Sequence, residues 1–135
     1  MQFDTKVAVV VRDDLLTWQK LNVTAFTISG VASLPDVVGE PYEDASGRRY
    51  LPMLKQPVMV FAATREELRA VYDQAVTTDA SMSIYTEELF ATPHDVANRG
   101  AVRVRRSDEL NLVGVALRGR KKVMDRVLKG LRLHG

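Results

Sequence analysis

The feature that most constrains this chain is a change of hydrophobic period within its first 32 residues. Lys6–Val11 reads KVAVVV, a short, continuously apolar, β-branched run. Such runs fit a strand covered on both faces. The run stops at Arg12-Asp13-Asp14. From Thr17 to about Ala32 the apolar residues Trp18, Leu21, Ala25, Ile28 and Ala32 recur at spacings of three and four. That spacing predicts a helix with these five side chains inward. Thr17 or Asp14 is its expected cap, and Gly30 and Pro35 end it nearby. Strand, short loop and helix make half of a βαβ unit.

The same alternation returns further on. Pro57–Ala63 (PVMVFAA) predicts a second buried strand. Thr64 and Glu67 then stand at capping-box spacing, and Leu68, Val71, Tyr72 and Ala75 mark the inner face of the helix that follows. Ser81–Tyr85 and Leu112–Leu117 predict two more sheet strands. A last helix after Gly119 turns Val123, Val127 and Leu131 inward, with Arg120, Lys121, Lys122, Arg126 and Lys129 outward. Between the first helix and the second strand, residues 34–56 are turn material. Tyr42–Tyr50 predicts a hairpin arm, with Asp44 at the turn start and Gly47 at a left-handed position. Residues 86–100 read as a long polar loop, and loops of that length are often functional.

The expected architecture is therefore α/β: a single domain over residues 1–135, a βαβαββα three-layer sandwich on a mixed four-stranded sheet, with the hairpin inserted near 34–56. Residues 89–111 show no helical period to make a crossover, so the last strand is expected to run antiparallel.

Composition enters through what it excludes. There are no cysteines, so disulfides, thiolate catalysis and Cys-based metal sites are absent. Two histidines without a metal-ligand spacing give no metal motif. No GxSxG elbow, Walker A loop or GxGxxG occurs, and no cofactor is expected. No run approaches a membrane span, and Met1–Lys6 carries no signal-peptide core. The cytoplasm is the expected compartment. The net charge of +2 hides an imbalance. Residues 1–98 carry 8 Lys/Arg against 14 Asp/Glu, and residues 99–135 carry 11 against 3. A basic third can attract polyanions; it can equally be a solvated helix face.

Four segments carry a resemblance: VVVRDDLLTWQKLNVTAF, DASGRRYLPM, YTEELFATPHDVANR and KGLRLHG. Through them the chain resembles, over nearly its whole length, a family catalogued as domain of unknown function number two thousand. The βαβα core, last strand and last helix also resemble the peptidyl-tRNA hydrolase II fold. Arg12, Asp14 and Leu15 match a segment those hydrolases carry after their first strand. Lys20 lies about one position from their helix-start lysine. Glu88 and Thr92 match the spacing of an acid and a threonine, with Glu in place of Asp. Leu21-Asn22-Val23-Thr24 and Glu88-Leu89-Phe90-Ala91 depart from the pattern, and the 34–56 arm has no counterpart. The resemblance implies a homodimer.

In open α/β sheets, ligands sit beyond the carboxyl ends of the strands. There Lys20, near a helix start, favours an anion or a developing oxyanion, or else pairs with Asp13 or Asp14. Glu88 beside it would orient a water, or else is a solvated carboxylate. Lys20 and Glu88 are thus the candidate catalytic pair. Arg12, Asp14, Asn22, Thr92, His94, Asn98 and Arg99 are the candidate substrate-binding residues. Three readings stay open: a hydrolase-like enzyme acting on an ester or amide of a small or RNA-linked substrate, a non-catalytic module for a small anionic ligand or partner protein, and a nucleic-acid binder using the basic C-terminal third.

Overall fold

The computed structural model describes residues 3–135. The chain runs β1 (Thr5–Arg12), α1 (Thr17–Ala32), β2 (Tyr42–Glu43), β3 (Arg49–Tyr50), β4 (Val58–Ala63), α2 (Arg65–Ala75), β5 (Ser81–Thr86), α3 (Asp95–Arg103), β6 (Leu112–Arg120), α4 (Lys121–Val127) and β7 (Arg132–Leu133). The main sheet has the order β5-β6-β1-β4-β7. β1 is parallel to β4 and antiparallel to β6. β6 is antiparallel to β5. The carboxyl ends of β1, β4 and β5 therefore share one rim of the sheet.

Alternation along β1 divides two cores. Val7, Val9 and Val11 face α1, with Val23, Val31 and Tyr85. Ala8 and Val10 face α2 and α4, with Leu68, Val71, Val123 and Val127. This makes the central strand apolar at every position. α2 forms as its sequence dictates. Thr64 Oγ1 accepts from Glu67 N at 3.1 Å and Glu67 Oε1 from Thr64 N at 2.9 Å, and the four expected residues are buried. The arm is also as expected. β2 and β3 pair antiparallel, and Gly47 has φ 83°. Asp44 Oδ1 accepts from Ser46 N and Arg48 N at 2.9 and 3.0 Å.

Four expectations are corrected. The sheet has five strands, because the C-terminal Arg132–Leu133 pairs antiparallel with β4 at Ala62 and Phe61. Two residues are too few to show a strand period, so only the available edge of β4 makes them one. Residues 86–100 are not an irregular loop. A 3₁₀ turn spans Glu87–Ala91, and α3 follows, with His94 as its cap. The inner face of α1 is also different. Val23, Thr27 and Val31 are buried, while Trp18 and Leu21 stand 54% and 67% exposed. The cause is close approach. A Cβ on Gly114 would lie 2.3 Å from Val23 Cγ1, and one on Gly30 would lie 2.8 Å from Ser83 Cβ. The helix sits down on β5 and β6 through its small residues and leaves the large ones outside. Neither Thr17 nor Asp14 caps it. Leu16 takes the cap position, with its N–H donating to Gln19 Oε1 at 3.0 Å.

Candidate functional site

The candidate residues divide into three groups along the carboxyl rim, with Glu88 apart from all three. Arg12 and Asp14 form a unit of their own. Arg12 falls on the Ala8–Val10 face of β1, away from α1, and is 5% exposed. Its Nε and Nη2 donate to the two Asp14 oxygens at 2.7 and 3.2 Å. This bidentate grip holds the Asp14 carboxyl below its usual range, the hydrogen bond to Arg12 being the largest cause. The pair closes the turn after β1.

Lys20 belongs to a second group. β7 continues along β4, with His134 N donating to Val60 O at 2.8 Å. This brings Lys20 Nζ to 3.3 Å from His134 Nε2. His134 Nδ1 lies 2.9 Å from the Gly135 carbonyl oxygen. Glu88 is placed elsewhere. It is the second residue of the 3₁₀ turn after β5 and has Arg105 Nη2 at 3.8 Å. Lys20 and Glu88 share the rim but form no ion pair with each other, and each faces a different partner.

The third group makes a cleft. It opens between α1 and the segment 87–103. A polar pocket of about 240 Å³ is lined by Asn22, Phe90, Thr92, His94 and Asn98. It continues, past Phe26, Tyr85, Leu89 and Asp95, into an open groove of about 530 Å³ that reaches Gly30, Ser83 and Arg103. The wall is aromatic: Tyr85 meets Phe26 edge-on and Phe90 at a tilt, at 5.7 and 5.1 Å between ring centres. Trp18 meets Phe90 edge-on at 5.7 Å. Burial pushes the Tyr85 phenol up from its ordinary value, so it stays neutral at physiological pH.

The polar side chains of the cleft are fixed by local structure. Thr92 Oγ1 donates to Leu89 O at 2.9 Å and also meets the Asn98 side chain. His94 Nδ1 accepts from Ala97 N at 3.1 Å, capping α3. A neutral imidazole that accepts at Nδ1 carries its proton on Nε2. His94 therefore offers a donor, not a general base. Arg99 is paired with Asp95 one turn away. Arg103 lines the groove and makes no ion pair among the described residues.

Five of the nine candidates, Asn22, Thr92, His94, Asn98 and Arg99, thus line one cleft. Arg12, Asp14, Lys20 and Glu88 are not among its lining residues. The sequence reading missed the aromatic wall, because Phe26, Tyr85 and Phe90 carry no chemical motif. Arg103 carries no signal in the sequence because residues 89–111 show no helical period. His134, next to the C-terminus, carries no motif in the sequence, and its neighbour Lys20 is 114 residues away.

The comparisons agree with this architecture. The chain is similar to the solved structure of the protein of unknown function Atu0240 from Agrobacterium tumefaciens strain C58. The two are 46% identical over 99% of this chain and 100% of that one, with a TM-score of 0.93. No curated protein matches. The family model described as "Protein of unknown function (DUF2000)" matches residues 5–135, nearly the whole chain. This chain belongs to the DUF2000 family.

Proposed function

We propose that this protein binds a small anionic ligand in the cleft between α1 and residues 87–103. One observation carries the reading: Asn22, Thr92, His94 and Asn98 line a single pocket backed by an aromatic wall. Such a mix of apolar wall and a few convergent polar groups is what small-molecule sites share. His94 Nε2–H and the Asn22 and Asn98 amides orient the ligand. Arg103 at the mouth supplies positive charge for its acidic group, beside Arg99 in its pair with Asp95.

Trp18 gives a direct test. It is the only tryptophan and touches Phe90, which lines the pocket. Titration with a panel of aromatic carboxylates is expected to change its emission saturably. Asn98→Ala is expected to weaken binding roughly tenfold, the loss of about one well-made hydrogen bond. A panel that leaves both emission and amide NMR shifts of residues 85–99 unchanged would remove the reading. An ester- or amide-cleaving role for Lys20 and Glu88 makes a different demand. It requires turnover of model esters that falls in Lys20→Ala, and the binding reading expects no such turnover.

A further inference from the structure

β5 is an edge strand whose unpaired side is unguarded. β6 takes one of its edges and no other strand of the main sheet takes the other. Edge strands are ordinarily blunted by charge, proline or a central bulge, or covered by another element. Ser81–Thr86 reads SMSIYT, with no proline and no charged residue. The one irregularity in its pairing lies at the far end, between Tyr85 and Thr86.

The open groove lies against this edge. Ser83, Ile84 and Tyr85 all line it. Consecutive strand residues point to opposite faces. Ser83 is on the α1 face, where its hydroxyl bonds Thr27 O, and Tyr85 is buried in the same core. Ile84 packs into the opposite core. A groove bordered by all three consecutive residues reaches the strand's backbone. Because β6 occupies the other side, that backbone is the free edge. Across the groove stands α3, which contributes Asn98, Arg99, Val102 and Arg103. A second recess of about 180 Å³, between Gly30, Leu34 and Ser81–Ser83, continues along the same strand.

We propose that this groove takes a peptide in extended conformation, which adds to β5 as a further strand and sets an acidic group against Arg103. The inference rests on the binding reading above and names its ligand class. An exposed strand edge supplies backbone hydrogen bonds, and recesses on one face select alternate side chains. The two recesses fall on the α1 face of β5, where residues i and i+2 of an added strand would point. The facing helix supplies positive charge, with Asp95 already engaged by Arg99 and Arg103 in no ion pair among the described residues. That favours an aspartate, a glutamate or a terminal carboxylate in the ligand.

The test is selection from a random nine-residue peptide library displayed on phage, against the intact protein. Enriched peptides, synthesised and titrated, are expected to protect backbone amides of Ser81–Tyr85 from hydrogen exchange. Arg103→Glu, at an exposed position that spares the fold, is expected to weaken them tenfold or more. No enrichment, or enriched peptides that leave β5 amides exchanging as in the free protein, overturns the proposal. So does binding indifferent to Arg103→Glu. If aromatic carboxylates still shift Trp18 while peptides fail, the cleft is a small-molecule site and only the strand-addition inference falls. If neither probe perturbs residues 81–103, both fall together.

Discussion

Single residues in this protein are constrained mainly by contact distance and by paired charge. Gly114 is the tightest case. A Cβ there would meet Val23 Cγ1 at 2.3 Å and the Val10 carbonyl oxygen at 3.2 Å. Backbone on one side and a buried valine on the other leave little room to give. Gly114→Ala is expected to cost about 1–3 kcal/mol, the usual penalty for overpacking, read by urea denaturation. Arg12 is constrained by charge. Its guanidinium is buried, one of its nitrogens, Nη1, has no partner among the described residues, and Asp14 holds the rest. Asp14→Asn removes the counter-charge from a buried cation and is expected to cost about 1–3 kcal/mol. The pH dependence follows from the sign of the shift. The folded Asp14 carboxyl titrates below its unfolded value, so its contribution is complete above about pH 4 and fades as pH falls through the folded value. Wild-type stability minus that of Asp14→Asn, measured from pH 7 down to pH 2, is expected to shrink only below about pH 4.

At the scale of elements, local sequence decides some features and packing decides others. α2 is locally written: its capping box and its apolar face agree. Thr64→Ala is expected to cost about 1 kcal/mol, the common value for losing such a cap, with the change seen as a lower denaturation midpoint at unchanged m-value. α1 is different. Trp18, Leu21, Ala25, Ile28 and Ala32 have a helical spacing, and so do Val23, Thr27 and Val31. A helix apolar on most sides offers no period that chooses between faces. The choice came from Gly30 against Ser83 and Val23 against Gly114, partners about 50 and 90 residues away. α3 was illegible for another reason: its nine residues make only about two and a half turns, with Asp, Asn, Arg and Gly set among Val96, Ala97, Ala101 and Val102, and none is fully buried. Its cap, His94, is an uncommon one.

For the whole molecule, folding redistributes the charge that looks segregated along the chain. The basic last third and the acidic first part meet repeatedly. Arg99 pairs with Asp95, Arg105 with Glu88, Arg120 with Asp79 and Arg132 with Asp13. These exposed pairs add little stability, but they neutralise charge that a phosphate backbone would need. Lys121, Lys122, Arg126 and Lys129 remain along and just beyond the short α4. Binding to a 20-base-pair duplex at 150 mM salt is therefore expected to stay within the non-specific range of roughly 10⁻⁴–10⁻⁶ M. A submicromolar affinity in a fluorescence-anisotropy titration would contradict this. Among the described residues no helix is long and apolar enough to cross a membrane.

By itself the sequence determined the alternation of strands and helices, the capping of α2 and the hairpin turn at Gly47. Each is written in residues close together in the chain, through period, cap or φ preference. Only the tertiary structure decided the fifth strand, the buried face of α1 and the grouping of the candidate residues. Each of those depends on groups far apart in sequence. Lys20 met His134 and Glu88 met Arg105, while Asn22 came to line one pocket with Thr92, His94 and Asn98. The rim of the sheet brings such groups near one another, but steric fit between α1 and the β5–β6 pair fixes which of them share a cleft, and that fit is a property of surfaces that exist only once the chain has folded.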